Sequence, residues 1–301
     1  MEIKRLYTII GATIGVILGY YLFWFFKNFF FSGHEYINLY RYFVEYSPTF
    51  LGFIGVVIFF ITDFRSSSLL RFFMCIEVLS FPFSIFFYVS YFTSFREPQT
   101  ESLFSIFNIL AMGLTLALFV CSCIGLWKLS KEKLPFLEYH TIGSESMAHF
   151  SPAPASHRFL NRMIDFLVLL FIVYFYILDS YYFKRLSWFE AFPRGNLGLV
   201  VLEIFLLLYF YLILEGIFKT TPGKCATATV IVDEHGNSPS FSQILTRTFC
   251  RLIPFDALSF IGSEARGWHD SISRTYVVKS VDIHEKEAAE FTLDAESENT
   301  F

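Results

Sequence analysis

Charged residues are scarce in this chain. Asp, Glu, Lys and Arg make up 17% of its 301 residues, whereas soluble domains carry about 25%. Hydrophobic residues reach 54% and aromatic residues 21%. This balance disfavours a soluble enzyme core and indicates a protein that keeps most of its length in lipid.

The sequence also lacks the patterns that catalysis, metal binding or a disulfide framework would need. The histidines of its C-terminal third, His235, His269 and His284, do not have the H-x3-5-H spacing of zinc ligands. The five cysteines are odd in number, and the first three lie inside apolar runs. We therefore expect no enzyme activity, metal or cofactor, and the net charge of −4 disfavours a nucleic-acid partner.

What the chain does have is long apolar runs. A membrane helix needs about 20 apolar residues, and five runs reach that length while a sixth comes close. They cover about 6–26, 42–61, 72–92, 103–127, 159–180 and 197–218. The sequence thus predicts an all-α polytopic membrane protein with six transmembrane helices.

A polar, proline-containing stretch divides these spans into two groups. We expect a four-span N-terminal membrane region at 1–130, a polar cytoplasmic linker at 131–157, a second membrane region at 158–281 with two spans, and an acidic, disordered tail at 282–301. Lys and Arg concentrate at one set of loop ends, which predicts that both termini are cytoplasmic. The expected location is a plasma membrane, the inner membrane of a bacterial cell, with the lipid bilayer as the first partner.

Small residues repeat along one face of the first span. Gly11, Gly15 and Gly19 form two overlapping small-xxx-small steps. Such a stripe lets another helix approach closely. The approaching helix is either one from this chain or one from a second copy in a homo-oligomer.

After the sixth span the chain changes character. The β-branched pieces 227–232 and 275–278 are short and able to pair as a small hairpin-like element. Between them, Ser240 and Gln243 form a capping-box pattern that predicts an amphipathic helix starting near Phe241. In that helix Arg247 and Arg251 lie one turn apart.

A basic amphipathic helix is typical of a segment lying in the membrane surface. We therefore predict that Arg247 and Arg251 contact that surface on its cytoplasmic side. Trp268 is expected to anchor the following segment at the same interface. Pro254 predicts the end of the helix.

Three charges at the start of the fifth span are the strongest lead to function. Arg158, Arg162 and Asp165 are spaced i, i+4 and i+7 and share one stripe of the helix. Glu215 lies at a similar depth on the sixth span. We expect Asp270, which follows the amphipathic helix, to meet Arg158 or Arg162 from the cytoplasmic side. Charges at such depth usually have partners or a task. The set is either a structural charge network or a site for an ion or small solute.

Several motifs in this half of the chain resemble the RDD family. The resemblance covers about residues 150–280, and it implies that Arg162, Asp165 and Asp270 are the arginine and the two aspartates in the family's name. Asn161 departs from it, since the family often has a small residue there. The motifs are Arg162–Asp165, Thr221–Lys224, Val232–Gly236, Arg247–Phe255, Gly267–Asp270 and Thr275–Val278. The family's molecular function is unsettled, and transport is the usual suggestion.

Two classes of function follow from these observations. The first is a membrane scaffold or assembly component held by the Arg/Asp network, whose acidic tail recruits a cytoplasmic protein partner. The second is a transporter or proton- or ion-coupled carrier that uses buried carboxylates. Six spans without a visible inverted repeat disfavour the carrier, whereas the number of intramembrane carboxylates exceeds what a scaffold needs.

Overall fold

The structure is a computed structural model, and it is mostly helical. It describes residues 2–31, 36–94, 102–131, 138–142, 145–149, 152–173, 196–253 and 267–280. The helices are α1 Glu2–Phe31, α2 Tyr36–Ile61, α3 Ser68–Ser94, α4 Ser102–Lys131, α5 Ala155–Ile172, α6 Asn196–Tyr211, α7 Pro222–Thr227, α8 Phe241–Cys250 and α9 Trp268–Ile272. A π-helical turn, Leu212–Ile217, continues α6. The strands are β1 Glu138–Ile142, β2 Glu145–His149, β3 Thr229–Asp233 and β4 Thr275–Lys279.

Among the residues that the structure describes, four helical segments are long and apolar enough to cross a bilayer. They are Lys4–Lys27, Ser68–Ile85, Ile109–Ser130 and Val200–Ile217, and they correspond to the predicted first, third, fourth and sixth spans. The apolar part of α2, Tyr46–Ile61, is shorter. The predicted fifth span, about 159–180, extends beyond the described residues. The membrane character of the chain is supported, but the count of six spans is not confirmed.

The described residues include two small antiparallel sheets. β3 pairs with β4, with Val230 opposite Val278, which confirms the predicted hairpin-like element. β1 pairs with β2 inside the stretch predicted as a polar linker. Only Gly143 and Ser144 separate these two strands, and a two-residue Gly-Ser link favours a tight hairpin. Sequence reasoning had passed over that signal.

The chain divides into two compact units. The first unit comprises Met1–Leu126 and Asp165–Phe210, and the second comprises Trp127–Ile164 and Tyr211–Phe301. We refer to them as the span unit and the C-terminal unit. The predicted charge stripe of α5 is divided between them, since Arg158 and Arg162 belong to the C-terminal unit and Asp165 to the span unit.

In the span unit, glycines bring α2 close to α1. A Cβ atom on Gly11 would lie 3.0 Å from the Phe60 ring, and one on Gly15 would lie 3.2 Å from Val56. Gly19 has nothing within 4 Å of such an atom. The stripe thus serves a helix of the same chain at its first two positions, and a second copy is not needed there.

In the C-terminal unit, the chain contacts the β3–β4 sheet just before α5 begins. Val230, Val232 and Val278 form a small apolar core. Pro152 forms a bridge with Val278, and the Ala153 N–H donates to the Val277 carbonyl at 2.8 Å. The chain is therefore held to the sheet edge immediately before α5 begins.

Capping residues fix where two helices begin, α7 after the π-helical turn and α8 after β3. Thr221 caps α7, accepting from the Lys224 N–H at 3.3 Å, and Pro222 occupies the first turn where its missing N–H is tolerated. Ser240 and Gln243 form the predicted capping box, so α8 begins at Phe241. These caps fix where Lys224 and the arginines of α8 point.

A buried charge network as the candidate functional site

Glu215 is the centre of the site. It lies on the π-helical turn and its side chain is completely buried. Arg251 donates to both carboxylate oxygens through its two terminal guanidinium nitrogens, Nη2 to Oε1 at 2.7 Å and Nη1 to Oε2 at 3.0 Å. Lys224 Nζ forms an ion pair with Oε1, and Arg247 Nε lies 3.4 Å from Oε2. One carboxylate is thus bound by three cations.

Asp270, on α9, is the second buried carboxylate. Arg247 Nη1 pairs with its Oδ1, and Arg158 Nη1 of α5 lies 3.4 Å from its Oδ2. Arg247 also donates to the Thr275 hydroxyl of β4 at 2.9 Å. Arg247 therefore bridges both carboxylates. We call Arg158, Glu215, Lys224, Arg247, Arg251 and Asp270 the charge network.

The local fold explains why these groups converge. Arg247 and Arg251 are one turn apart on α8, so both reach the same side of the helix. The π-helical turn that carries Glu215 widens the backbone spiral, and such turns often occur at functional sites. An isolated buried charge would cost many kcal/mol, so each must have partners of opposite sign. Here the partners come from five separate segments.

Arg247 is charged and His269 is neutral in this buried site. Burial lowers the pKa of Arg247 to about 9, against the opposing effect of Glu215, so its guanidinium remains charged at neutral pH. Burial and then the nearby cations, Arg247 first among them, lower the pKa of His269 well below its usual range. His269 is therefore neutral, and its Nε2, 3.7 Å from Asp270 Oδ1, makes no charged pair.

Arg162 lies beside the network and shares an aromatic ring with it. Its Nη1 donates to the Tyr211 hydroxyl at 3.2 Å, and its guanidinium lies 5.7 Å from the ring centroid. Arg251 lies over the same ring at 3.7 Å. The face of an aromatic ring attracts cations, so Tyr211 holds two guanidinium groups near one another in spite of their like charge.

Asn161, on the same helix, connects α5 to the sheet. Its amide is hydrogen-bonded to the hydroxyls of Thr227 and Thr229. Gly223 packs so closely that a Cβ atom there would lie 2.7 Å from the Asn161 Cα. The departure at Asn161 thus adds polar contacts at a point where α5 meets the first turn of α7.

A comparison of the sequence with known protein families gives a match in this part of the chain. Residues 152–275 match the model of the RDD family. The C-terminal part of this chain is an RDD family domain. No curated protein and no solved structure matches the chain.

Within the RDD domain, the structure brings together three of the five residues that the sequence proposed for a charge network, namely Arg158, Glu215 and Asp270. Arg158 lies against Asp270, and Arg247 joins Asp270 to Glu215. Asp165 is buried and belongs to the span unit, so its proposed pairing with Arg162 stays a prediction. Sequence reasoning missed Lys224, although it lies in the Thr221–Lys224 motif that carried the family resemblance.

The placement of Arg247 and Arg251 corrects the sequence interpretation of α8. Both arginines are buried, whereas Phe249 is 50% exposed and Phe241 and Leu252 are also exposed. The helix is amphipathic as predicted, but its arginines face inward together with Ile244, and Phe249 and Phe241 face outward. The physical reason is tertiary, because Glu215 and Asp270 supply the buried counter-charges that the arginines need.

One further sequence prediction concerns Trp268 at the start of α9. Trp268 is 46% exposed, a position suited to the interfacial anchor proposed for it. Among the residues that the structure describes, no group of three His, Cys, Asp or Glu side chains could hold a metal ion.

Proposed function

We propose that the RDD domain of this chain is a non-enzymatic membrane scaffold or assembly component, and that the charge network keeps its segments in one arrangement. The observation that carries the proposal is the state of Glu215. Its carboxylate is completely buried and is bound by Arg251, Lys224 and Arg247 together. These protein cations compensate the charge of the carboxylate and contact both of its oxygens.

A carboxylate that carries ions must exchange them during each cycle. Release of Glu215 from its partners would leave Arg251, Lys224 and Arg247 without this counter-charge in a dry interior, and breaking a single buried pair commonly costs about 3–5 kcal/mol. Displacement of all three partners in every cycle would therefore be slow. The three cation partners therefore favour a structural role for the Glu215 carboxylate over ion exchange there.

The network also connects segments that are far apart in the sequence. Arg158 comes from α5, Lys224 from α7, Arg247 from α8 and Asp270 from α9. α9 contains only five residues, which is too short for a stable isolated helix. Ion pairs to Arg158 and Arg247 hold it in place. A defined surface made from such short elements suits a protein that other proteins assemble on.

The proposal includes the cellular location and the membrane topology of the chain. We place the chain in a plasma membrane, the inner membrane of a bacterium, with six spans and with both termini in the cytoplasm, since the Lys and Arg bias favours that side. The acidic tail at 282–301 would then recruit a cytoplasmic protein. A single cysteine at Lys131 or Asp294 should be shielded from an impermeant thiol reagent in intact cells, and one at Arg194 should react. Labelling of the Lys131 site from outside would overturn this topology.

The decisive experiment compares ion flux with assembly in one set of variants. The full chain is reconstituted in proteoliposomes, and movement of H+, Na+ and K+ is compared with protein-free liposomes. In native membranes, blue-native electrophoresis reports the size of the complex that contains the chain. The variants are Glu215→Gln and the matched control Glu203→Gln, the same change at an exposed position of α6.

A scaffold predicts no flux above the protein-free level and a complex that Glu215→Gln dissociates while Glu203→Gln leaves it intact. Flux that rises with the amount of protein and disappears in a folded Glu215→Gln variant would overturn the scaffold in favour of the carrier. An RDD chain that migrates as a single molecule in native membranes would also contradict the proposal.

A further inference from the structure

Arg162 differs from the arginines of the charge network, because none of the ion pairs among the described residues of the C-terminal unit includes it. The partner that the structure gives it is Tyr211, through a hydrogen bond of 3.2 Å to the hydroxyl and a position 5.7 Å from the ring centroid. Within this unit, a neutral phenol leaves the full charge of the guanidinium and most of its five N–H donors to other ligands.

The surroundings of Arg162 on α5 are apolar and open. Phe159 is 59% exposed and Met163 is 40% exposed, whereas Arg162 itself is half-buried between them. Large exposed apolar side chains beside a membrane span mark a surface that contacts lipid. An arginine in such a surface extends its charged end to the level of the lipid headgroups.

The field around Arg162 is positive. Arg158 lies one turn earlier on α5, and Arg251 lies over the same Tyr211 ring at 3.7 Å. The lowered pKa of His269, which Arg162 and three further cations of the unit reinforce, reports the same potential. An anion is therefore attracted to this position, and a second cation is repelled.

We propose that Arg162 binds the phosphate of an anionic phospholipid headgroup, with the acyl chains against Phe159 and Met163. A planar guanidinium binds two phosphate oxygens at once, a geometry that lysine does not match. The positive field selects headgroups of net negative charge, because a zwitterionic headgroup brings its own ammonium group toward Arg251. Inorganic phosphate lacks the acyl chains and should bind far more weakly. The site is independent of the choice between scaffold and carrier.

The test measures lipid binding to the full chain in a neutral detergent. The probe is phosphatidylglycerol with a fluorescent acyl chain, and unlabelled phosphatidylglycerol, phosphatidylcholine and inorganic phosphate serve as competitors. The variants are Arg162→Gln, Arg162→Lys and the control Arg274→Gln. Arg274 has a side chain that is 74% exposed and lies in the turn before β4, so the control removes the same charge from the same unit.

Arg162→Gln should weaken binding of the probe by about tenfold or more, since a hydrogen-bonded charge pair contributes about 1.5–3 kcal/mol. Arg162→Lys should bind more weakly than the wild type, because it keeps the charge but loses the two-point geometry. Arg274→Gln should bind as the wild type does. Only unlabelled phosphatidylglycerol should compete strongly.

Four results would overturn the proposal. Arg274→Gln could weaken binding as much as Arg162→Gln, which would indicate attraction by net charge alone. Phosphatidylcholine could compete as well as phosphatidylglycerol. Inorganic phosphate at millimolar concentration could displace the probe, which would make the ligand a soluble anion. If Arg162→Gln does not fold, Arg162→Lys decides, and unchanged affinity in that variant would refute binding through the guanidinium fork.

Discussion

Replacement of Glu215 by glutamine removes one negative charge from a completely buried position and changes the side-chain volume very little. The amide can accept a hydrogen bond from one cation through its oxygen. Its NH2 group, however, faces a cation in place of the second carboxylate oxygen, where Arg251 Nη1 now donates at 3.0 Å. The variant therefore loses charge compensation and gains a donor–donor contact.

The expected magnitude follows from the number of partners. Breaking a buried pair by removing one member commonly costs about 3–5 kcal/mol, and Glu215 compensates Arg251, Lys224 and Arg247 at once. Because a whole domain is stable by only about 5–15 kcal/mol, this loss is severe. It should lower the unfolding temperature by about 6–20 °C, at roughly 2–4 °C per kcal/mol for a chain of this size.

The C-terminal unit carries its own reporters for this measurement. Cys225 and Cys250 are both buried there, on α7 and α8. With the other three cysteines replaced by alanine, a thiol-reactive dye that fluoresces on reaction follows the unfolding of this unit as the temperature rises.

Glu234→Gln in the same background is the control, since it makes the same chemical change in the same unit at a side chain that is 46% exposed directly after β3. It should unfold within about 1 °C of the parent, because surface substitutions usually stay within about 0.5 kcal/mol. Equal unfolding temperatures for Glu215→Gln and Glu234→Gln would refute the claim that the charge network stabilises the domain.

Two more predictions address the fold of the RDD domain and its response to pH. Gly223→Ala should destabilise the C-terminal unit by several kcal/mol, on the order of a severe core substitution, because its Cβ would meet the Asn161 backbone. Gly216→Ala in the same unit, where the added Cβ would meet only the Phe241 and Ile244 side chains at 3.8 and 4.0 Å, should change stability far less in the same dye assay. The pKa of His269 is lowered in the folded protein, so as the pH falls below 6.5 this histidine takes up a proton in the unfolded state before it does so in the folded state. The free energy of unfolding should therefore decrease by up to about 1.4 kcal/mol for each pH unit. His269→Gln should flatten that slope between pH 6.5 and 5, and equal slopes in the variant and the parent would contradict the assignment.

Several features of this protein are determined by the sequence alone, because their physical causes are local. Apolar runs of spanning length follow from composition, since a stretch without charges has no better environment than lipid. The capping box at Ser240 set the start of α8, and the β-branched pieces set β3 and β4. The motifs between Arg162 and Asp270 were sufficient to indicate the RDD family, and the family comparison supports them.

The partners of the charged side chains were decided only by the tertiary structure. Periodicity showed that Arg247 and Arg251 share a face of α8, but it could not show whether that face meets water, lipid headgroups or buried acids. The structure turns it toward Glu215, which is more than thirty residues earlier in the chain, and toward Asp270. The same pattern of residues is stable in either orientation, and the difference depends on long-range Coulomb compensation in a dry interior. Amphipathic spacing therefore predicted the helix, and the buried carboxylates determined which of its faces points inward.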